Sequence, residues 1–283
     1  MALLLLLPSL PLPHPHPHPH HPHSKPFLSC NIQRSSHHNH SSPFPTIRPT
    51  STMARQAQEA PPRSVVVVGA GVVGACTAYF LSKKGLSVTI VEQSSVASAA
   101  SGKAGGFLAS DWSDSSPLGP LSRASFRLHQ ELAEELDGME TYGYRPLQTL
   151  TLNVQEPDSD EVKHLPHAAT ASSLIPPWID GDATVLSAST LGSTATTAQV
   201  HPLLFTRALV SAAMERWGAR LLIGKLDKVS VGTGTSKVSS VVIDGGTSVS
   251  ADIVVLAMGP WSSRDAILSS LTTRISGVKA HSV

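Results

Sequence analysis

The chain has 283 residues, enough for one large domain or two ordinary ones, and 41% of them are hydrophobic, a usual fraction for a globular core. The formal net charge of +1 leaves no basic footprint for nucleic acid, and two cysteines, Cys30 and Cys76, exclude a disulfide framework or a cysteine-based zinc site. No apolar run approaches the length of a membrane-spanning helix, and a reducing compartment is compatible with the cysteine count.

Residues 1–62 read as a leader apart from the folded body. They contain Pro-His alternation and a Ser/His/Asn stretch, and the first acidic residue is Glu59. Such a segment cannot bury a core and is expected to be disordered. Scattered Arg34, Arg48 and Arg55 among many Ser and Pro make the composition of an organellar transit peptide, with a chloroplast ahead of a mitochondrion. The competing secretory reading rests on Leu3 to Leu7, a short run broken by Pro8 with no positive residue before it. Translation from Met53 would instead give a cytoplasmic form. His14, His16, His18, His20, His21 and His23 could share a divalent cation, but the reading adopted is Pro-His low complexity with no metal site.

The body begins with a valine-rich run at 64–68, too short for a helix and bounded by glycine, which predicts a buried parallel strand. The spacing predicts a helix over 72–84, with Ala75, Ala78, Tyr79 and Leu81 available for packing and Gly85 as its C-terminal cap. A second strand follows at 86–91 and ends at Glu92. Residues 97–110 form a small-residue loop, and 120–136 return to helical spacing through Leu121, Phe126, Leu128, Leu132 and Leu136, with Gly138 as the stop. Residues 148–154 are strand-like, and the polar, Pro-containing stretch 156–184 belongs to a second, substrate-facing layer. A helix over 203–217 opens at Pro202 and closes at Gly218. Short strands are expected at 220–223, 228–231, 238–243, 247–250 and 253–257, the last running into Met258-Gly259-Pro260-Trp261. No internal repeat emerges, and the pattern is mixed α/β.

The chemistry concentrates where the first strand meets the first helix, at Gly69-Ala70-Gly71-Val72-Val73-Gly74. A pyrophosphate needs donors aimed at it and a backbone that can approach without Cβ clashes, which a glycine-rich turn at a helix N-terminus provides. Gly69 permits the tight turn, Gly71 lets the backbone near the phosphates, and Gly74 lets the helix lie close on the sheet. Glu92, ending the second strand, can accept from both hydroxyls of an adenosine ribose and disfavours a 2′-phosphate. Strand, glycines, helix, strand and acid arrive in order, so dinucleotide binding is expected. These residues alone do not separate FAD from NAD.

Three further motifs accompany this unit: Ala99-Ala100-Ser101-Gly102-Lys103-Ala104-Gly105-Gly106-Phe107-Leu108-Ala109, then Gln199-Val200-His201-Pro202 leading into Leu203-Leu204-Phe205, then Ile253-Val254-Val255-Leu256-Ala257-Met258-Gly259-Pro260-Trp261-Ser262. Together with 64–92 they resemble the FAD-dependent oxidoreductases of the D-amino-acid oxidase, glycine oxidase and sarcosine oxidase superfamily, over residues 64–283. The resemblance implies a Rossmann-like FAD-binding domain with part of a second, mainly β substrate domain, the latter within 145–200 and from 274 onward. It also implies FAD as cofactor and a small amine or amino acid as partner, oxidised by hydride transfer to the flavin to give an imine that hydrolyses. By the same resemblance Gly69, Ala70, Gly71, Val72, Val73 and Gly74 hold the pyrophosphate, and Glu92 with Gln93 the adenosine. Ser101, Gly102, Lys103, Gly105 and Gly106 pass the ribityl chain and flavin ring, Val229 meets adenine through its backbone, and Ala257, Gly259 and Trp261 close over the phosphates. Plainer readings stand beside these: a Gly-Pro turn and a core indole for Gly259 and Trp261, and a solvated side chain for Lys103. An NAD-dependent dehydrogenase is a further alternative.

Family members continue past the point matched by 275–283, so the resemblance implies a chain incomplete at its C-terminus. Much of the substrate pocket and the carboxylate-binding residue would lie beyond it, and no catalytic residue is assigned. An incomplete second domain is expected to expose strand edges and apolar surface, and so to weaken stability. A catalytically inactive FAD-binding or interaction protein is therefore the alternative reading. His201 and His281 invite a general-base role, but His201 is expected to cap its helix or lie beside Pro202.

Overall fold

A computed structural model of the chain describes residues 63–154, 175, 185–234 and 237–263. The leader with its histidine tract and Cys30, the stretch 156–184 apart from Ile175, and the segment 274–283 with His281 lie outside the described residues.

In chain order the elements are β1 (Ser64–Val68), α1 (Val72–Lys83), β2 (Ser87–Glu92), β3 (Phe107–Ala109), α2 (Gly119–Glu135), α3 (Gly138–Tyr142), β4 (Arg145–Pro146), β5 (Thr149–Val154), β6 (Val185–Gly192), β7 (Thr197–Gln199), α4 (Pro202–Trp217), β8 (Arg220–Ile223), β9 (Leu226–Val231), β10 (Val238–Ile243), β11 (Thr247–Ser250) and β12 (Ile253–Leu256). Short 3-10 turns occupy Ala100–Gly102 and Gly259–Ser263.

Four parallel strands form the central sheet in the order β12-β1-β2-β8. The valines of β1 explain how it is covered, since a parallel strand buried on both faces has no use for polar alternation. Val65 and Val67 join Val88 and Ile90 in a cluster with Ala75, Ala78 and Tyr79 of α1 and Phe205 and Leu209 of α4. Val66, Val68 and Val91 face the other way, against Leu226, Val241, Ile243 and Val249 of the antiparallel sheet β11-β10-β9. The parallel sheet thus has a helical layer on one face and a β layer on the other. At the N-terminal edge the Ser64 N–H and hydroxyl donate to the Asp252 carboxylate at 2.8 and 2.9 Å, joining the starts of β1 and β12 and holding that carboxyl below its ordinary range.

Away from this sheet, β3, β7 and β4 form an antiparallel sheet in that order, and β5 pairs with β6. The sheets are linked through the buried Thr197, whose hydroxyl accepts from Thr149 and donates to the Leu147 carbonyl at 2.6 Å.

The helix stops follow local chemistry. Gly85 follows α1 at φ 82°, and Gly218 follows α4 at φ 70° with the Ala219 N–H donating to the Ala213 carbonyl. Gly138 does not terminate α2 as its composition suggested. Asp137 takes the left-handed conformation at φ 52°, and Gly138 instead opens α3 directly beneath the Tyr142 ring.

One half-buried titratable group ties α2 to α4. The His129 ring lies 5.0 Å from that of Phe205, and its Nδ1 stands 2.9 Å from the Ser125 carbonyl, so Nδ1 carries the proton in the neutral ring. Partial removal from water holds this imidazole below the ordinary 6.5. The unfolded chain therefore takes up the proton first, and the stability from the neutral ring is complete above about pH 6.5 and declines as pH falls below it. The melting temperature is expected to drop between about pH 7 and about pH 5, less steeply in His129→Gln than in the parent. An unchanged slope in that variant would assign the pH dependence to other groups.

Candidate functional site

The C-terminal ends of the parallel strands meet at one place. The Ala257 N–H donates to the Val68 carbonyl at 2.8 Å, the Gly69 N–H to the Val91 carbonyl at 2.7 Å, and the Gly224 N–H to the Glu92 carbonyl at 2.8 Å. The chain runs from β1 towards β2 on one side while β12 returns on the other, so this edge is a topological switch point, where open α/β sheets bind ligands. A cleft of about 730 Å³ opens there, a size suited to a small molecule or cofactor.

Its floor is the turn from β1 into α1. Gly69 has φ +104°, and a Cβ there would stand 2.4 Å from the Ala257 carbonyl oxygen. A Cβ on Gly74 would stand 1.8 Å from the Gly69 carbonyl oxygen, so α1 lies against the turn with no room for a methyl group. The first helical bond runs from Ala75 N–H to the Gly71 carbonyl. The first-turn amides lack intrahelical acceptors, and that turn carries no acidic side chain. The Val72 N–H donates to Ser101 Oγ at 2.9 Å, which sets the small-residue loop across the helix N-terminus. The loop is also held by the Ala97 N–H on the Ala70 carbonyl.

Glu92 stands at the mouth. Its Oε2 accepts the Ala70 N–H at 2.8 Å, and its Oε1 accepts the Ser94 N–H at 3.0 Å. Both oxygens are thereby oriented by backbone donors; the Ser94 hydroxyl also lies 3.4 Å from Oε1, while Oε2, with one donor, retains an acceptor position.

Of the residues singled out by sequence, Gly69, Gly71, Val72 and Val73 line the cleft from the turn, Glu92, Gln93 and Ser101 from the second strand and loop, and Ala257, Gly259 and Trp261 from the end of β12. Ala70 and Gly74 lie beneath, one supplying an amide to Glu92 and the other allowing the helix to approach. Gly102, Lys103, Gly105 and Gly106 do not line the cleft but lead away towards β3 and β7, where the Gly106 carbonyl accepts the Val200 N–H at 2.9 Å. Lys103 is exposed.

Val229 requires correction. It sits within β9, opposite Val241, and contributes to the cluster beneath the parallel sheet rather than to the cleft. The strand begins earlier than its composition suggests, at Leu226, and Gly224, Lys225 and Leu226 reach the cleft instead. Sequence reading missed these three. The available signal was Gly224, a glycine directly after a strand parallel to β2 and so at the same edge. His201 caps α4, its Nδ1 accepting the Leu204 N–H at 3.4 Å.

The donor set fits the ADP half of a dinucleotide. It combines a turn whose open space any Cβ would fill, amides at a helix start, and an acceptor-only carboxylate at the neighbouring strand end. Among the described residues no cluster of three His, Cys, Asp or Glu could hold a metal, and no helix is long and apolar enough to cross a membrane.

Comparison with known proteins gives a consistent result. The family model described as DAO, FAD dependent oxidoreductase, matches residues 64–283. A Schizosaccharomyces pombe protein named as an oxidoreductase is 30% identical over 245 residues, 78% of this chain and 59% of that protein. The glycine oxidase of Geobacillus kaustophilus is 45% identical over 74 residues, 25% of this chain and 20% of that protein. A crystal structure of glycine oxidase from that organism superposes with a TM-score of 0.57 at 26% identity, covering 71% of this chain and 57% of the other. L-proline dehydrogenase from P. horikoshii shares the fold at a TM-score of 0.57 and 22% identity, over 77% and 58% of the two chains. The chain thus spans 59% of the length of its yeast relative.

The contact between Gly74 and Gly69 is directly testable. Gly74→Ala is expected to cost about 1–3 kcal/mol of stability through overpacking and to weaken ADP binding measured by calorimetry. Undiminished ADP affinity would show that the turn does not form the phosphate floor.

Proposed function

The chain belongs to the DAO family of FAD-dependent oxidoreductases, and from that premise we propose that it binds FAD in the cleft and acts in the oxidation of a small amine or amino acid. The observation that carries the reading is the Glu92 carboxylate, fixed by the Ala70 and Ser94 amides beside a glycine turn that no side chain fills. FAD, when bound, supplies the two-electron acceptor for the substrate's carbon–nitrogen bond.

In this reading Gly69, Gly71, Val72 and Val73 receive the pyrophosphate. Glu92 and Gln93 receive the ribose, and Gly224 to Leu226 border the adenine. Ala257, Gly259 and Trp261 close over the phosphates, while Ser101 to Gly106 lead along the ribityl chain to the ring. Residues 145–200 contribute to the substrate-side layer. The names of the similar proteins, glycine oxidase and L-proline dehydrogenase, support a small amino acid as the substrate class.

Purified full-length protein is expected to carry an oxidised-flavin absorption spectrum and to reduce a dye when supplied with small amines or amino acids. A colourless protein that gains no flavin on incubation with FAD would overturn the binding assignment. Flavin retention without turnover on any such substrate would favour a catalytically inactive FAD-binding protein. Glu92→Ala is expected to raise the FAD dissociation constant by roughly tenfold to a hundredfold, the loss of hydrogen bonds to a charged acceptor.

We propose also that residues 1–62 direct the chain to an organelle, the chloroplast before the mitochondrion, on the strength of their acid-poor, Ser- and Pro-rich composition. Fused to a fluorescent protein they are expected to deliver it to plastids; diffuse cytosolic fluorescence would refute this.

A further inference from the structure

The sheet β3-β7-β4 sets Phe107, Gln199 and Arg145 side by side in register, with Gln199 in the middle. Arg145 donates to Gln199 Oε1 from Nη2 at 2.7 Å and from Nε at 3.3 Å. A guanidinium has donors and no acceptor, so this contact decides which end of the carboxamide is oxygen. The amide nitrogen is left pointing at the Gly105 carbonyl, to which Nε2 donates at 3.3 Å.

The next carbonyl is held as well. Gly106 O accepts the Val200 N–H at 2.9 Å, and Gly106 adopts φ +76° with the Val200 oxygen where a Cβ would need to be, 2.0 Å away. Two successive carbonyls of the turn are therefore tied to two successive residues just before α4, while the Phe107 ring covers Gly105 closely enough that a Cβ there would be 3.1 Å from it. The C=O and N–H of a trans peptide point in opposite directions. Drawing the Gly105 carbonyl onto Gln199 consequently turns the Gly106 N–H to the opposite side of the turn, and that N–H has no hydrogen-bond partner among the described residues.

We propose that Gln199, oriented by Arg145, is a positioning residue for the flavin: it fixes the Gly105 peptide so that the Gly106 N–H is presented as a donor to the isoalloxazine ring. This rests on the reading that residues 101–106 border that ring. A donor held against the ring favours the electron-rich reduced form, so losing it lowers the flavin potential. The ADP half is held elsewhere, by the Gly69 turn and Glu92, so losing Gln199 leaves most of the FAD affinity in place.

Two near-isosteric variants of the full-length holoprotein separate this role from a purely structural one. Gln199→Glu keeps an acceptor for Arg145 but sets a carboxylate oxygen against the Gly105 carbonyl, and Gln199→Met removes both contacts without adding charge. Both are expected to shift the visible flavin bands and lower the midpoint potential, while the FAD dissociation constant rises by roughly tenfold at most, the scale of one net hydrogen bond. Thermal stability of Gln199→Glu is expected to fall less than that of Gln199→Met, because its pair with Arg145 persists. Parental bands and potential in both variants would overturn the proposal, as would a shift in Gln199→Glu alone, which would mark a charge effect. A parent protein that takes up no flavin would refute the cofactor assignment itself, and the positioning role with it.

Discussion

Helix α1 can lie against the end of β1 because Gly74 has no side chain beneath the Gly69 carbonyl, where a Cβ would come to 1.8 Å. That approach brings the helix N-terminus to the point at which β1, β2 and β12 end together. Move the helix outward by the width of a methyl group and the Ala70 amide moves from Glu92, the Val72 amide moves from Ser101, and the small-residue loop loses its anchor. A cleft with an oriented carboxylate at one side and helix amides at its floor is the consequence of that one contact.

The same economy governs the layers around it. Because β1 is apolar on both faces, it holds α1 and α4 on one side and the β9–β11 sheet on the other, and the latter brings Leu226 beneath the cleft. The cleft therefore rests on fully buried strand valines. The turn at Gly105 and Gly106 is held differently, by hydrogen bonds from Gln199 and Val200 beside an exposed Phe107. In the proposed reading, holding the cofactor and arranging its reactive end fall to different parts of the fold.

Much of this was legible in the residues. The valine run, the three glycines and Glu92 each have a local physical meaning, and the strands expected at 238–243 and 247–250 coincide with β10 and β11 because their β-branched residues are separated by Gly245 and Gly246. The short strands β3, β4 and β7 were not legible, since two or three residues carry no periodicity and form only through partners distant in sequence. Val229 lies away from the cleft edge for a related reason: the consecutive polar residues Asp227 and Lys228 break the alternation, so the pattern marks a strand only from Lys228 and hides its start at Leu226. Asp137 shows that a left-handed residue can end a helix one position before an obvious glycine. The tie between Gln199 and Gly105 joins residues far apart in sequence, and no local pattern announces it.

Amide hydrogen exchange of the full-length protein with and without FAD tests the central claim most directly. The account predicts that FAD slows exchange in the turn and first helical residues from Gly69 to Val73, and in the loop around Ser101 that lies across them. Unchanged exchange in those segments while FAD protects another surface would contradict it.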